Sequence, residues 1–442
     1  DTQPFCSYRT GLLRQAPRRH SSKGAISIVM SISKAQLFGI LLLFTSYHLY
    51  GVGRFSIGPV NIGPWDIATV ILCGLWVWSA NKGRWQLTRE FRWSLGYLVV
   101  FFAWMVVGAV RSPLPLKALT MVLIYLRDFV LFFICYTWFC QKPDLQRINR
   151  WLAYIASGIA AVSIIMFTAA FMNYSAIRSA KELWRPAIGY VFDQGGILRL
   201  IGFAYDPNFY SLWLSLGLLC ALAARFRPSW LRWVLFGIMA LSIALASSRT
   251  FLIAAVAGTT VVGLVSMSHS ESRKHFRSYI GSLFGGSAIA GLLILTWSIF
   301  QTNILQIVLK RFQMIFLSPR FAEWGLIIKN GLHHILLGEG LRAAQTILSG
   351  KYAHNSYLEL LVDTGAIGLA LFLLLSGYLG LIAVKSIRIR PELLPWVHTW
   401  IILLFMMFAF SLLQNPFYWM LAGVIVGACA SPEPADQAEE VA

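Results

Sequence analysis

Apolar runs of membrane-spanning length, joined by short loops, constrain the fold of this chain more than any other sequence feature. A helix needs about 20 mostly apolar residues to cross the hydrocarbon core of a bilayer. Hydrophobic residues make up 57% of the chain and charged residues 12%, whereas soluble domains carry about 25% charged residues. The sequence therefore predicts an all-α polytopic membrane protein with about twelve transmembrane helices. The predicted spans are residues 35–51, 65–80, 94–110, 118–140, 151–173, 209–224, 231–246, 250–267, 279–300, 356–382, 397–412 and 416–430.

Basic residues alternate between the loops, and this alternation predicts the orientation. One set of loops is rich in arginine and lysine, while the short loops between them hold far fewer. The two long outer loops, residues 174–208 and 301–355, are also basic, which indicates either that long loops tolerate such charge or that the outer face has an anion site. The rich loops carry Lys82, Arg84, Arg89 and Arg92, then Lys142, Arg147 and Arg150, then Arg225, Arg227 and Arg232, then Arg273, Lys274 and Arg277, and finally Lys385, Arg388 and Arg390. Because positive residues favour the cytoplasm, both termini are expected there. The net charge of +19 then reflects topology and contact with anionic membrane lipids, not a nucleic-acid partner.

The spans divide the chain into five predicted parts. A basic, disordered cytoplasmic tail covers residues 1–34, although Met30 directly precedes the first apolar run and leaves open whether residues 1–29 belong to the mature chain. Transmembrane helices 1–9 cover 35–300, and a large extracytoplasmic loop covers 301–355. Helices 10–12 cover 356–430, and an acidic cytoplasmic tail covers 431–442. Within the large loop, the apolar spacing after Pro319 predicts a short amphipathic helix on the membrane surface.

The stretch that begins the tenth span carries an unusual group of ionisable residues. Ser356 and Glu359 have the spacing of a capping box, which predicts a helix that starts at Ser356 and leaves His354 just outside it. Asp363 lies on the same helix face as Glu359 and is expected at its solvated end. Capping and interfacial solvation account for the two acids. For His354 two interpretations stay open, an interfacial hydrogen-bonding residue or an imidazole that takes part in chemistry.

Three arginines are expected at the same extracytoplasmic face. Arg199 precedes an Asp206-Pro207 pair that is typical of a helix N-cap followed by proline, and capping does not require the arginine. Arg249 lies between two apolar runs with almost no loop, so it either snorkels or meets an anion. Arg320 follows the start of the amphipathic helix. A guanidinium fork suits phosphate better than lysine does.

Arginines around one histidine favour a particular reaction class. They suit a negatively charged leaving group such as pyrophosphate, and a histidine is an ordinary base for a hydroxyl. His333 and His334 are adjacent and cannot share a helix face, so the sequence predicts no metal site. No nucleotide-binding glycine motif occurs in the sequence, and the six cysteines contain no CxxC pair.

These residues resemble a known family, the O-antigen ligase and polymerase superfamily of bacterial envelopes. His354-Asn355, followed by nine residues and then Gly365 and Gly368, is similar to the ligase signature. The similarity covers roughly residues 195–385. It extends to Arg320 through Trp324, Gly338-Glu339-Gly340, Ser248-Arg249 and Asp206-Pro207-Asn208. Apart from its family role, the paired glycine is expected to permit close helix packing.

The resemblance implies a GT-C-like, metal-independent glycosyltransferase without a cofactor, in the bacterial inner membrane. Its donor would be a glycan on undecaprenyl pyrophosphate, presented at the periplasmic face. By matching position, His354 would activate the acceptor hydroxyl or help to place the donor. Arg199 and Arg249 would hold the pyrophosphate, with Arg320 a third candidate. Supporting residues would be Asn355, Glu359, Asp206 and Asn208.

The family branches differ in acceptor. The acceptor is a hydroxyl of lipid A-core for a ligase, another lipid-linked repeat unit for a polymerase, and a protein hydroxyl in a third branch. The spacing around His354 favours the ligase. A different class, a lipid-linked glycan flippase or other transporter, should place charges near the midplane of several helices. In this sequence the ionisable residues lie at the ends of the predicted spans, and the span cores are nearly uncharged apart from Arg127 and Asp128.

Overall fold

The computed structural model describes the chain in ten ranges. These are residues 23–49, 55–57, 60–80, 87–172, 189–192, 198–204, 206–267, 277, 279–281 and 320–429. Within them the protein is mostly helical, and five helices are long and apolar enough to cross a membrane. The predicted helical membrane protein is confirmed at that level. The predicted N-terminal tail up to residue 22, the predicted loop over 301–319 and the predicted acidic tail lie outside the described residues.

The described residues of the N-terminal half form five α-helices and one β-hairpin. Its elements are α1 (Lys23–His48), β1 (Phe55–Ile57), β2 (Val60–Ile62), α2 (Pro64–Ala80), α3 (Arg89–Val110), α4 (Pro115–Cys140) and α5 (Leu145–Met172). The helix α1 begins at Lys23, so residues 23–34 are helical where a disordered tail was predicted. These residues can be helical because no proline interrupts the apolar stretch from Ala25 to the first span.

The described residues of the C-terminal half form a second hairpin, eight α-helices and a short 3₁₀ helix. Its elements are β3 (Gly189–Phe192), β4 (Leu198–Gly202), α6 (Pro207–Ala223), α7 (Trp230–Ala246), α8 (Arg249–Met267), α9 (Arg320–Asn330), α10 (Ala343–Ile347), α11 (Ser356–Ile389), a short 3₁₀ helix (Pro391–Leu393), α12 (Leu394–Met406) and α13 (Pro416–Cys429). Both hairpins are antiparallel. The all-α prediction therefore needs correction at two connections, and β4 carries Arg199.

Proline and short polar side chains define where several helices start. Pro64, Pro115, Pro207 and Pro416 each occupy the first helical position, where a missing N–H costs nothing and a fixed φ angle suits the helix. Thr88 caps α3 by accepting a hydrogen bond from Phe91 N at 3.3 Å. Eleven of the predicted spans overlap helices in the described residues, although the span 397–412 runs past the helix end at Met406. Residues 282–300 of the remaining span lie outside the described residues.

The short helices α6 and α13 are almost wholly buried at the centre of the bundle. Every residue of α13 is buried. A side chain at Gly423 or Gly427 would collide with the backbone of α4 at Phe132 O and Tyr136 O, so these glycines allow close helix packing. The five helices of spanning length are α3, α4, α5, α8 and α11. They expose apolar side chains such as Val99, Leu123 and Leu381, as expected for lipid-facing helices.

The helix bundle has two ends, and the candidate site lies at one of them. At one end, the starts of α6, α8 and α11 meet the chain that follows α12, because Ser356 N donates to Met407 O at 2.8 Å. We call this the histidine end. At the opposite end, the end of α6 meets the start of α5, where Arg225 N donates to Gln146 Oε1 at 3.1 Å. The 3₁₀ helix before α12 lies there too, since Asn149 Nδ2 donates to Glu392 O at 3.0 Å.

Candidate functional site

Five ionisable residues from distant parts of the chain converge at the histidine end. They are Arg199, Asp206, Arg249, Arg320 and His354, and each is partly exposed. His354 lies within the electrostatic field of Arg320 and Asp206. Arg199 lies within the fields of Asp206, Arg249 and Arg320. The structure thus brings the predicted histidine and all three predicted arginines together at one accessible surface.

His354 is held in a strained backbone conformation just before α11. Its φ angle is +53°, in the left-handed region that costs most residues free energy. The preceding residue is fixed by Trp324, whose Nε1 donates to Ala353 O at 2.7 Å. Burial and the positive charge of Arg320 hold the pKa of His354 below its usual value of 6.5. The imidazole is therefore mainly neutral near pH 7 and has a lone pair with which to accept a proton.

Asn355, and not Ser356, caps α11. The Asn355 side chain accepts a hydrogen bond from Leu358 N at 3.0 Å, and Ser356 is the first helical residue. The Ser356 hydroxyl serves another purpose, because it donates to Phe410 O at 2.7 Å and accepts from Leu412 N at 2.7 Å. The predicted start of the helix is confirmed, but the predicted capping box is wrong. Its serine instead ties the helix start to the chain after α12.

Glu359 supports the histidine loop from inside the helix. Its Oε1 accepts hydrogen bonds from Ala353 N at 2.9 Å and from the Ser411 hydroxyl at 2.6 Å. These bonds join the residue before His354 to the segment that contains Phe410. Glu359 therefore links two loops by hydrogen bonds. The predicted role was reciprocal capping of α11.

Asp363 is buried and caps a different helix. Its two oxygens accept from Arg342 N at 2.9 Å and Ala344 N at 3.0 Å, which satisfies the first turn of α10. The prediction that Asp363 lies at a solvated helix end is wrong, because the loop before α10 folds over this part of α11.

The paired glycines of the sequence signature have separate roles. Gly365 interrupts α11 with φ 73° and ψ −177°, a conformation essentially restricted to glycine. The incoming loop pairs with the interruption, where Ala366 N donates to Ile335 O at 2.7 Å, and Trp104 Nε1 donates to Thr364 O at 2.9 Å. A side chain at Gly365 would collide with Leu336 O. Helix packing explains Gly368, which lies against Trp104, but it does not explain Gly365.

The Gly338-Glu339-Gly340 segment forms the predicted turn. Both glycines have positive φ angles, 73° and 98°, and Gly340 lies so close to Arg111 O that no side chain fits. Leu341 N then donates to Gly108 O at 2.9 Å. The turn therefore anchors the large loop to the end of α3.

Arg320 and His354 lie against the same aromatic ring. The Arg320 guanidinium carbon is 4.7 Å from the centre of the Phe410 ring, and Arg320 Nη1 donates to Ala409 O at 3.0 Å. His354 meets that ring edge-on, with 5.9 Å between centroids. Burial lowers the pKa of Arg320, but an arginine stays charged at neutral pH. Phe410 was missed from the sequence because the predicted span over 397–412 included it, whereas α12 ends at Met406.

Asp206 and Asn208 fix Arg249 beside the start of α6. Asp206 is the predicted N-cap, which accepts from Asn208 N at 2.7 Å and Phe209 N at 3.4 Å. Asn208 is buried, and its Oδ1 accepts from the Ser248 hydroxyl at 2.6 Å. Because Ser248 immediately precedes Arg249, this bond places the arginine at the start of α8. The predicted cap is confirmed, and the predicted supporting residue Asn208 joins two helix starts.

Arg199 reaches from β4 to the end of α7. Its Nε donates to Ala246 O at 3.0 Å and its Nη2 to Ser247 O at 3.3 Å, a common use of arginine at a helix C-terminus. Burial lowers the pKa of Arg199 to about 10. The N-cap of α6 does not use Arg199, but part of its guanidinium satisfies backbone carbonyls at the end of α7. Its suggested contact with a pyrophosphate stays a prediction.

Comparisons with known proteins found no relative of this chain. Neither the protein-family models nor the curated proteins that were searched match the chain. In the ranges that the structure describes, no three His, Cys, Asp or Glu side chains are grouped as metal ligands would be.

Proposed function

We propose that this chain is a GT-C-like glycosyltransferase of the O-antigen ligase type in the bacterial inner membrane. In this proposal a glycan passes from undecaprenyl pyrophosphate to a hydroxyl of lipid A-core at the periplasmic face. The observation that carries it is His354, which lies against the same Phe410 ring as Arg320, at a surface that also contains Arg249 and Arg199. The proposal includes about twelve spans with both termini in the cytoplasm, as the loop charges favour.

The proposed chemistry needs one base and one anion site. His354 accepts the proton of the acceptor hydroxyl while that oxygen forms a bond to the anomeric carbon of the donor. The bond between this carbon and the pyrophosphate oxygen breaks, and its electron pair stays on the pyrophosphate. Arg249 and Arg320 stabilise the negative charge that develops there, and arginine forks match phosphate oxygens well. A protonated His354 would be unable to begin this step.

The His354 backbone conformation supports a functional role. A residue in the left-handed region costs of order 1–3 kcal/mol, and Asn355, Ser356 and Glu359 all hold the loop in that conformation. Strain of this kind is concentrated at functional sites in proteins. An ordinary interfacial histidine would not need three braces of this type.

A polymerase is the alternative within the same family. The two branches share the histidine loop and differ only in the acceptor. A flippase belongs to a different class. Among the described residues, the charges in the middle of a helix of spanning length are Arg127 and Asp128 of α4. Arg127 pairs with Asp66 and with Asp128, both at 2.7 Å. A transporter should place charges near the midplane of several helices, and this single paired network does not do so.

Purified full-length protein, incubated with undecaprenyl-pyrophosphate glycan and alternative acceptors, tests this proposal. Glycosylated lipid A-core supports a ligase, longer lipid-linked polymer indicates a polymerase, and translocation without transfer indicates a flippase. His354→Ala should abolish product formation while the protein stays folded and inserted. His333→Ala is the matched control, because His333 is an exposed histidine of the same loop. Transfer at the normal rate by His354→Ala protein would refute the assigned role.

A further inference from the structure

A polar cavity lies at the end of the bundle opposite His354. Its volume is about 340 Å³. It is enclosed by the end of α6, the start of α7, the start of α5 and the 3₁₀ helix before α12. The helix α6 runs from the candidate site to this cavity, and its 17 residues separate the two by roughly 25 Å at 1.5 Å per residue. The glycosyl-transfer proposal does not use this cavity.

The polar lining of the cavity is mainly positive. Arg225, Arg232 and one carboxylate, Glu392, line it together with Gln146 and Ser229. Gln146 positions Arg225 by accepting its backbone N–H at 3.1 Å. The Nε atom of Arg232 is buried, and among the described residues it has no hydrogen-bond partner. A buried donor without a partner costs free energy, so it favours a bound acceptor.

The start of α7 adds a further feature that favours an anion. Ser229 is the N-cap residue, and its side chain makes no capping hydrogen bond. The first N–H groups of a helix and its dipole both favour negative charge. Arg232 lies in the first turn of the same helix. The cavity therefore combines two arginines, a serine hydroxyl that makes no capping bond and a helix N-terminus, with Glu392 as the opposing charge.

Aromatic side chains place the cavity at the level of lipid headgroups. Trp230, next to Ser229, is 61% exposed, and Trp151 is 45% exposed. Trp151 packs edge-on against Tyr154, which in turn packs edge-on against Phe226 in the cavity wall. Exposed tryptophan and tyrosine are enriched where a membrane meets water. A ligand here has access to an apolar phase on one side and to arginines on the other.

We propose that this cavity binds the phosphate headgroup of an anionic phospholipid. The phosphate would accept hydrogen bonds from Arg232 and Arg225 and from the start of α7, while the acyl chains lie along the exposed apolar faces of the neighbouring helices. Basic pockets between membrane helices are suited to such headgroups. This site is independent of glycosyl transfer, and its failure would leave the His354 proposal untouched.

Native mass spectrometry of the full-length protein in detergent tests this site. The dissociation constant of the first bound phosphatidylglycerol is compared between wild type and the double variant Arg225→Gln/Arg232→Gln. We expect binding to weaken about thirtyfold, as expected for two interfacial arginines. Arg150→Gln is the matched control, because this exposed arginine lies at the same end but outside the cavity lining. Equal unfolding midpoints in lipid-free detergent verify that the variants fold.

Three results would overturn the proposal. Unchanged phosphatidylglycerol binding in the double variant would exclude the cavity as the site. Equal weakening in Arg150→Gln would indicate general charge attraction and no specific pocket. If inorganic phosphate displaces phosphatidylglycerol at a similar concentration, the cavity is a site for soluble phosphate. The lipid site is supported if Arg150→Gln retains binding, the double variant loses it, and inorganic phosphate does not compete.

Discussion

The imidazole of His354 meets the ring of Phe410 edge-on, with 5.9 Å between their centroids. The face of that ring lies 4.7 Å from the guanidinium carbon of Arg320. Phe209, near the start of α6, also packs against it at 5.9 Å. Phe410 thus holds the proposed base and one proposed phosphate ligand in a fixed arrangement, although it has no ionisable group of its own.

Replacement of Phe410 by leucine should lower the transfer rate. The substitution keeps an apolar side chain but removes the edge-on and cation–π contacts, which together contribute roughly 1–2 kcal/mol. We expect kcat to fall roughly tenfold, with a smaller change in KM. Phe408→Leu is the control, since Phe408 is 54% exposed and packs against Tyr357. Equal losses in the two variants would argue against a positioning role for Phe410.

The rate of transfer should fall as the pH drops below the midpoint set by His354. Burial and Arg320 hold the pKa of this histidine below 6.5, so the neutral base is present at pH 7 and is lost at a midpoint below 6.5. Arg320→Gln removes a positive neighbour and should raise that pKa. We expect the acidic limb of the kcat/KM profile to move to higher pH, whatever happens to the maximum rate.

A charge-matched control separates this local effect from general electrostatics. Lys329→Gln removes one positive charge from an exposed position of the same helix, α9. The pH midpoint of that variant should match wild type. If Arg320→Gln leaves the midpoint unchanged, or if Lys329→Gln shifts it equally, Arg320 does not tune His354.

Arg249→Lys should impair donor use although the charge is kept. Ser248 and Asn208 fix the start of α8, where Arg249 is the first helical residue, and a guanidinium can form two parallel hydrogen bonds to a phosphate. Lysine offers a point charge without that planar fork. We expect KM for the donor to rise by roughly tenfold or more, a difference of about 1.4 kcal/mol. Normal donor binding in this variant would remove the phosphate-clamp hypothesis.

Gly365→Ala should destabilise the protein. Alanine cannot adopt its φ and ψ angles cheaply, and its methyl group would collide with Leu336 O, so we expect a loss of roughly 2–5 kcal/mol. Gly377→Ala is the control in the same helix, because no neighbour lies within 4 Å of an added methyl group. It should keep or slightly raise the unfolding temperature in detergent. Similar unfolding temperatures for both variants would contradict the interruption at Gly365.

The apolar runs and the helix starts could be predicted from the sequence because both depend on local chemistry. Pro207 and Asp206 act on N–H groups within three residues of the cap, so their pattern is sufficient to place the start of α6. The hairpin β3–β4 was missed because its strands are short, although Asp193-Gln194-Gly195-Gly196 between them is a recognisable turn sequence. The end of α12 was missed because the apolar residues continue through the turn after Met406.

The sequence by itself determined a membrane protein of apolar helices, the start of α11 at Ser356 and the set of histidine and arginines worth testing. Tertiary structure alone decided their partners. Ser356 bonds to a carbonyl 54 positions away, and Arg320 to one 89 positions away. Periodicity and capping rules describe only neighbours along the chain. Contacts over such separations depend on how whole helices pack, which is why Phe410, the brace at Glu359 and the carbonyl partners of Arg199 were visible only in the folded protein.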